Sequence, residues 1–165
     1  MSEQQAKPNP GLVLKVAPQY PNIDADLLLT GALVHDMGKI DELSYDREFA
    51  YTDEGQLIGH VVMAVTMLDK KLKEAERLAG EPVPGEMVLR LKHMIVSHHG
   101  QYEFGSPKLP MTLEAVVLHY LDNLDAKVHS FEQLMRDDPN VESKWTNFHH
   151  NLGRKLFKGA ASNGR

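Results

Sequence analysis

The chain has 165 residues, enough for one domain with a hydrophobic core, and its formal net charge of −5 provides no overall basic field that would recruit nucleic acid or an anionic membrane. The absence of cysteine excludes disulfides, thiolate nucleophiles and cysteine-ligated zinc, and it fits a reducing compartment. We find no signal peptide and no apolar run long enough to cross a bilayer, so we expect a cytoplasmic protein with no membrane partner.

The first half of the chain predicts helices separated by one irregular segment. Residues 1–11 are polar and contain two prolines, so we expect them to be disordered or extended. A long helix is predicted over about 24–38, with Gly38 as a left-handed cap. Residues 41–54 are rich in turn formers and predict a loop or a small hairpin. The apolar spacing of residues 56–79 predicts a second long helix, which Gly80 closes.

The second half predicts three more helices. They cover about 84–100, where Gly100 is the stop, then 112–136, and finally 141–157, which carries its apolar residues on one side: Trp145, Phe148, Leu152 and Leu156. The sequence therefore predicts an all-α fold, with a single domain over 12–158 and a flexible tail over 159–165.

Four of these predicted helices contain a histidine or an aspartate in the part of the helix that is otherwise most apolar. An unpaired charge buried there would cost several kcal/mol. A divalent cation removes that cost, because it pairs the carboxylates and takes neutral imidazole nitrogens as ligands. Helix bundles often build metal sites from facing helices in this way. The pattern therefore predicts one metal site from His35, Asp36, His60, His98, His99 and Asp122.

Each of these residues taken alone has a simpler interpretation. His60 could be a core histidine bonded to a backbone carbonyl, and His98-His99 could be a cation pair at a helix C-terminus. Asp122 could cap a helix or pair with Lys127. The joint pattern favours the metal site, because several independent coincidences would otherwise be needed. The other histidines fit no comparable pattern and are interpreted as surface or packing residues: His93, His119, His129, His149 and His150.

The ordered motifs carry a family resemblance. "HDMGK", a lone histidine, "HH" and an aspartate followed by "NLDAK" lie within about residues 20–130. This set resembles the HD superfamily of metal-dependent phosphohydrolases, most closely the C-terminal HD domain of YhaM-type 3′-5′ exoribonucleases. The resemblance implies an HD-domain helical bundle with a pair of divalent cations between helices. It assigns His35, Asp36 and Asp122 to one cation and His60, His98 and His99 to the other, with Asp36 bridging both.

The sequence departs from the family pattern in two respects. A further histidine, expected near Asn9 or Pro10, is missing, and so is the N-terminal OB domain that binds nucleic acid. Two explanations remain open: the chain is a fragment of a longer protein, or it is a natural short protein with an altered first metal site. In both cases the first site is expected to be the weaker one, which puts catalysis in question.

The expected chemistry follows from the ligand types. Mixed imidazole and carboxylate ligation suits Mn, Fe, Co, Ni or Zn. Two such ions would activate a water and clamp a phosphate, so no protein nucleophile is needed. Asp36 and Lys39 are the candidate catalytic residues. Lys39 could also touch a phosphate oxygen, although it could equally be a helix C-terminal cation. The loop after His99 offers further candidate substrate contacts, with a plain surface loop as the alternative: Tyr102, Ser106 and Lys108.

Two functions are therefore carried forward. The first is a phosphoester hydrolase acting on single-stranded RNA or a nucleotide, a substrate class implied by the resemblance alone. The second is a non-catalytic HD-fold module for interaction or oligomerisation with a degenerate metal site, which would allow a homo-oligomer.

Overall fold

The helical prediction is confirmed. The computed structural model describes residues 10–44 and 50–159, and the expected disorder of residues 1–9 and flexibility of residues 160–165 lie outside them. The described chain contains seven α-helices: α1 Pro10–Val16, α2 Ala25–Val34, α3 Lys39–Glu42, α4 Asp53–Ile58, α5 His60–Ala79, α6 Gly85–Ser97 and α7 Leu113–Arg136. None of these helices is long and apolar enough to cross a membrane.

The remaining regular structure of the described residues consists of a small hairpin and three short 3-10 turns. Strands β1 (Leu43–Ser44) and β2 (Ala50–Tyr51) pair antiparallel, with Leu43 opposite Tyr51. This agrees with the loop or hairpin predicted over 41–54. The 3-10 turns follow α1, α6 and α7: Ala17–Gln19, Tyr102–Phe104 and His150–Leu152.

The described residues group into two compact units, one ending at Asn123 and one beginning at Leu124. The first unit holds the main hydrophobic core, to which helices α1, α2, α5 and α6 and the first turns of α7 contribute. Leu28, Met94, Ile95 and Leu118 are fully buried in it. The apolar face of each helix explains this packing, since the stripe at helical spacing is the part removed from water.

The first long helix ends earlier than predicted. Asp24 caps α2 by accepting a hydrogen bond from the Leu27 backbone N–H at 3.0 Å, but α2 stops at Val34. Gly38 is not a left-handed cap, since its φ is −64°. A Cβ there would lie 2.0 Å from the His60 carbonyl oxygen and 2.7 Å from the Ala64 nitrogen. Gly38 is therefore needed for a close approach to α5.

Replacing Gly38 with alanine is expected to destabilise the protein by about 2–3 kcal/mol, because the added methyl group must displace backbone. Gly85→Ala is the matched control: a Cβ at Gly85 meets nothing within 4 Å, and alanine favours a helix by up to about 1 kcal/mol over glycine. Urea unfolding of both variants measures the difference. A Gly38→Ala protein as stable as Gly85→Ala would contradict the close approach.

The second long helix is broken where a continuous helix over 56–79 was predicted. Gly59 adopts φ 78° and ψ 151°, which separates α4 from α5 and makes His60 the first residue of α5. The positive φ is a conformation that glycine adopts at little cost. His60 is thus presented at a helix N-terminus instead of inside a helix.

Of the other predictions about where helices begin and end, some are confirmed and some are wrong. Gly80 has φ 78° and ends α5 as expected, whereas α6 already ends at Ser97, three residues before the stop predicted at Gly100. The helix predicted over 112–136 is confirmed as α7. The extended conformation predicted up to residue 11 is wrong for Pro10 and Gly11, since both lie in α1. Proline is well tolerated in the first turn of a helix, where its missing N–H has no intrahelical acceptor.

The last predicted helix, over 141–157, is wrong. Within the second unit, the chain there folds back on itself through antiparallel bridges between Trp145 and Phe157 and between His149 and Arg154. The buried Asp138 carboxylate accepts hydrogen bonds from backbone N–H groups of Asn140 and Asn147. Such local bonds offer the backbone an alternative to a helix.

Candidate metal centre

The six predicted ligand residues converge in the first unit. His35 and Asp36 follow α2, His60 begins α5, His98 and His99 follow α6, and Asp122 lies on α7. The Asp36 carboxylate is at the centre, with Oδ1 3.7 Å from His60 Nε2 and 3.6 Å from His98 Nε2. Its Oδ2 lies 3.4 Å from His35 Nε2. The chain therefore gathers these groups across nearly ninety positions.

Two groups of potential ligand atoms can be distinguished. One consists of His60, His98 and His99, and the other of His35, His98 and Asp122; within each group the atoms lie within 4.8 Å of one another. His98 belongs to both groups, whereas the family resemblance assigned it to the second cation alone. The two groups are thus linked through a shared imidazole as well as through Asp36.

The four imidazole rings share one hydrogen-bonding pattern. In each, Nδ1 is bonded to an oxygen that can only accept a hydrogen bond, so Nδ1 carries the proton and the lone pair of the neutral ring is on Nε2. The acceptors are Ala32 O at 3.0 Å for His35, Glu42 Oε1 at 3.1 Å for His60, Ile95 O at 2.7 Å for His98 and Phe104 O at 2.8 Å for His99.

The converging atoms are therefore almost all acceptors. Among the described residues, His35 Nε2, Asp36 Oδ1 and His60 Nε2 are buried without a hydrogen-bond partner. Buried polar atoms without partners are rare because their desolvation is costly. Imidazole nitrogens and carboxylate oxygens turned toward one another are the donor set of a divalent transition-metal ion. The residues thus fit a metal.

The charges at the centre are strongly coupled. Burial alone would lower the pKa of His35, but the carboxylates of Asp122 and Asp36 outweigh it and raise the pKa to about 9. Burial would likewise raise the pKa of Asp36, yet His35 and Lys39 hold it well below its usual range. Lys39 Nζ lies 2.6 Å from Asp36 Oδ2. Burial and the charge of His35 together lower the pKa of His98 to about 3.

Glu42 contacts the centre and was missed by the sequence reasoning. It lies at the end of α3, is 7% exposed, and its Oε1 accepts hydrogen bonds from both the backbone N–H and the Nδ1–H of His60. Residues 41–54 were predicted as a loop or hairpin, and neither periodicity nor spacing marks one acidic residue there as buried.

The three candidate substrate-contacting residues differ in their exposure to solvent. Tyr102 and Lys108 are exposed on the loop that follows His99. Ser106 is instead 3% exposed, and its hydroxyl lies 3.1 Å from Val96 O and 2.8 Å from Lys108 O. The expectation that Ser106 contacts substrate is corrected, because that hydroxyl is occupied in holding the loop.

Two other histidines form hydrogen bonds with backbone groups. The ring of His119 donates from Nδ1 to His98 O at 2.8 Å, and His93 Nε2 accepts from the Met111 backbone N–H at 2.9 Å. Both agree with the packing role predicted for them.

A groove of about 520 Å³ lies elsewhere in the first unit. Its lining comes from the segment after α1 and from the start of α7, and it contains neither a carboxylate nor an imidazole: Val16, Tyr20, Pro21, Asn22, Ile23, Leu113, Val116, Val117, Tyr120 and Leu121. This groove therefore lacks the polar groups that the proposed chemistry needs.

Histidines and aspartates gathered from successive helices are the arrangement of an HD domain, and the HD domain profile matches residues 11–127. The chain therefore belongs to the HD domain family, which confirms the resemblance read from the motifs. HD domains bind divalent metals, and the two candidate groups are of that kind. The profile leaves residues 128–158 unmatched, so their place in one domain with the rest stays a prediction.

Curated relatives point to one kind of HD protein. The chain is 45% identical over 124 residues to the 3′-5′ exoribonuclease YhaM of Bacillus subtilis. This aligned stretch covers 75% of this chain and 38% of that protein. The chain is 49% identical over 117 residues to the protein of the same name from Bacillus velezensis, covering 71% of this chain and 35% of the relative. The chain thus spans little more than a third of the length of these relatives. No solved structure matches it.

Proposed function

We propose that this chain is a metal-dependent phosphohydrolase that cleaves phosphoester bonds, with single-stranded RNA as the substrate class. The observation that carries the proposal is the convergence of three Nε2 atoms, those of His35, His60 and His98, on the Asp36 carboxylate, with buried acceptors that lack a partner. The RNA substrate is supported by the relatives, which are 3′-5′ exoribonucleases.

The proposed ligands are His35, Asp36, His60, His98, His99 and Asp122. Each of the two candidate groups takes one divalent cation, and Asp36 faces histidines of both groups. Imidazole-rich ligation favours Mn, Fe, Co, Ni or Zn over Mg or Ca. Bound there, the cations would supply Lewis-acid stabilisation of phosphate oxygens and activation of a water molecule. No serine or other protein nucleophile is required for this chemistry.

The chain's own residues would position the substrate and balance its charge. The Lys39 ammonium group lies beside Asp36 with its side chain 20% exposed, so it can offer a positive charge to a phosphate oxygen. Tyr102 and Lys108 extend from the loop behind His99, where an aromatic ring can stack on a base and an ammonium group can contact the backbone. These contacts are few in an acidic protein, so RNA binding should be weak and sensitive to salt.

The proposal is tested by hydrolysis with and without metal. The assays are release of nucleotides from a short single-stranded RNA and release of p-nitrophenol from bis(p-nitrophenyl) phosphate, each with excess Mn²⁺ or with EDTA. We expect both products with Mn²⁺ and neither with EDTA. Cleavage of the small ester alone would favour a nucleotide-scale substrate. Bound metal without cleavage of either substrate would reject the enzyme and favour the non-catalytic interaction module.

Metal affinity is expected to rise with pH. The pKa of His35 is raised to about 9 in the metal-free protein, so at neutral pH a proton occupies the nitrogen that the metal needs. Below that pKa, apparent affinity for the ion that His35 binds should increase about tenfold per pH unit, with about one proton released when that ion binds. Calorimetric titration of Mn²⁺ between about pH 7 and about pH 8.5, in buffers of different ionisation enthalpy, measures both quantities. An affinity that is constant across this range would contradict ligation by His35.

A further inference from the structure

We propose that Glu42 is a positioning residue for the metal centre, whose carboxylate holds the His60 ring so that Nε2 faces Asp36. This inference rests on the metal-binding part of the proposed function. It concerns a residue outside both candidate ligand groups, in a segment whose sequence gave no functional signal.

A single oxygen of Glu42 holds His60 in two places. Oε1 accepts a hydrogen bond from the His60 backbone N–H at 2.9 Å and another from the ring Nδ1–H at 3.1 Å. Backbone and ring are thereby tied to one point, which restricts rotation of the side chain. The far nitrogen, Nε2, then lies 3.7 Å from Asp36 Oδ1.

The break between α4 and α5 makes this contact available. In a continuous helix, the His60 N–H would bond to the carbonyl four residues earlier. Because α5 begins at His60, that N–H is one of the free donors of a helix N-terminus. Gly59, at the cap position, has no side chain to accept it. Glu42 takes that place from α3, and its negative charge is favourable at a helix N-terminus.

Glu42 is itself held from the opposite side. Its backbone oxygen accepts the Thr52 N–H at 2.9 Å, and a Cβ on Gly55 would lie 2.9 Å from Glu42 Cγ. Helix α4 therefore packs directly on this residue. A carboxylate so enclosed is costly unless it is hydrogen-bonded, so the fold stabilises the arrangement in which it bonds to His60.

Loss of this contact should weaken metal binding. Residues that bond the second nitrogen of a ligand histidine fix its tautomer and orientation, and their mutation typically costs about 10–100-fold in metal affinity. We expect Glu42→Leu, which removes the acceptor, to lower Mn²⁺ affinity by about that factor. Glu42→Asp keeps the charge but shortens the side chain, and should also weaken binding. Glu42→Gln keeps an acceptor oxygen at the same reach, and should lose least.

The experiment combines calorimetric titration of Mn²⁺ with ¹⁵N NMR of the histidine rings in the metal-free protein. We expect His60 to be protonated on Nδ1 in wild type and Glu42→Gln, and to show mixed tautomers in Glu42→Leu and Glu42→Asp. Glu54→Gln, at an exposed glutamate on α4, is the control and should match wild type. In a His60→Ala background, Glu42→Asp should have no further effect on metal affinity.

Two results would overturn the positioning role. The first is unchanged metal affinity and an unchanged His60 tautomer in Glu42→Asp. The second is a loss in Glu42→Gln as large as in Glu42→Leu while Glu42→Asp is unaffected, which would show that charge matters and position does not. If Glu42→Leu fails to fold, the comparison of Glu42→Gln with Glu42→Asp still decides. Wild type that binds no metal would refute the proposed function, but the tautomer of His60 would still test Glu42.

Discussion

Replacing Asp36 with alanine is expected to remove both metal-dependent hydrolysis and the stabilisation that metal provides. Asp36 Oδ1 faces His60 and His98 and its Oδ2 faces His35, so we expect this carboxylate to serve both proposed cations. At a free metal concentration about 100 times Kd, binding should stabilise the folded wild type by about 2.7 kcal/mol. In a protein of this size that corresponds to a rise in Tm of about 5–10 °C. The variant should show no rise.

The measurement is thermal unfolding of metal-stripped protein with and without Mn²⁺, alongside the hydrolysis assays. Each variant is compared with itself, because Asp36→Ala also removes a counter-charge from Lys39 and from His35 and can change the Tm of the metal-free protein. Asp41→Ala removes an exposed carboxylate on α3 and should retain the full rise. Equal rises in wild type and Asp36→Ala would show that the ion binds elsewhere.

The candidate ligand residues could be singled out from sequence because each of them contradicts its surroundings. A histidine or aspartate in the apolar part of a helix is costly, and that cost is visible without any knowledge of the fold. His35 and His98 are indeed buried, at 1% and 2% exposure. The groups that hold the histidine rings in place cannot be recognised from the sequence. The acceptors for His35 and His98 are backbone carbonyls in the preceding helix turn, which any sequence would supply.

Features that depend on distant parts of the chain were missed. The stretch "DEGQLIGHVV" is compatible with one continuous helix, and the break at Gly59 depends on an acceptor that Glu42 supplies from 18 positions earlier. Gly38 is similar: its role is to let α5 approach, whereas glycine near a helix end is usually interpreted as a cap.

The wrong prediction over 141–157 has a related cause. Its apolar residues are spaced as on a helix, but of these Leu156 is buried while Trp145 and Phe148 remain half exposed. The Thr146 backbone N–H donates to Leu156 O, ten positions away, at 2.9 Å. Periodicity records which residues are apolar, but it does not record which backbone groups find partners across a turn.

Asp122→Ala and His60→Ala are expected to be nearly as damaging to hydrolysis as Asp36→Ala, each for loss of a different cation. Asp122 belongs to one candidate group and His60 to the other, and His98 links the two. If both cations act on one phosphate, removal of either should lower the rate by at least about a hundredfold, since the clamp on attacking and leaving oxygens needs both. Metal content after dialysis should fall by about half in each variant.

Hydrolysis and bound metal are measured on the same preparations, since the two readouts separate loss of a cation from loss of chemistry. Glu132→Ala, at an exposed residue of α7, controls for substitutions on the helix that carries Asp122 and should retain both activity and metal. His98→Ala should empty both groups, because its Nε2 lies within reach of each. An Asp122→Ala protein with nearly wild-type activity beside an inactive His60→Ala protein would contradict the two-cation proposal. That pattern would leave the ion held by His60, His98 and His99 as sufficient for catalysis.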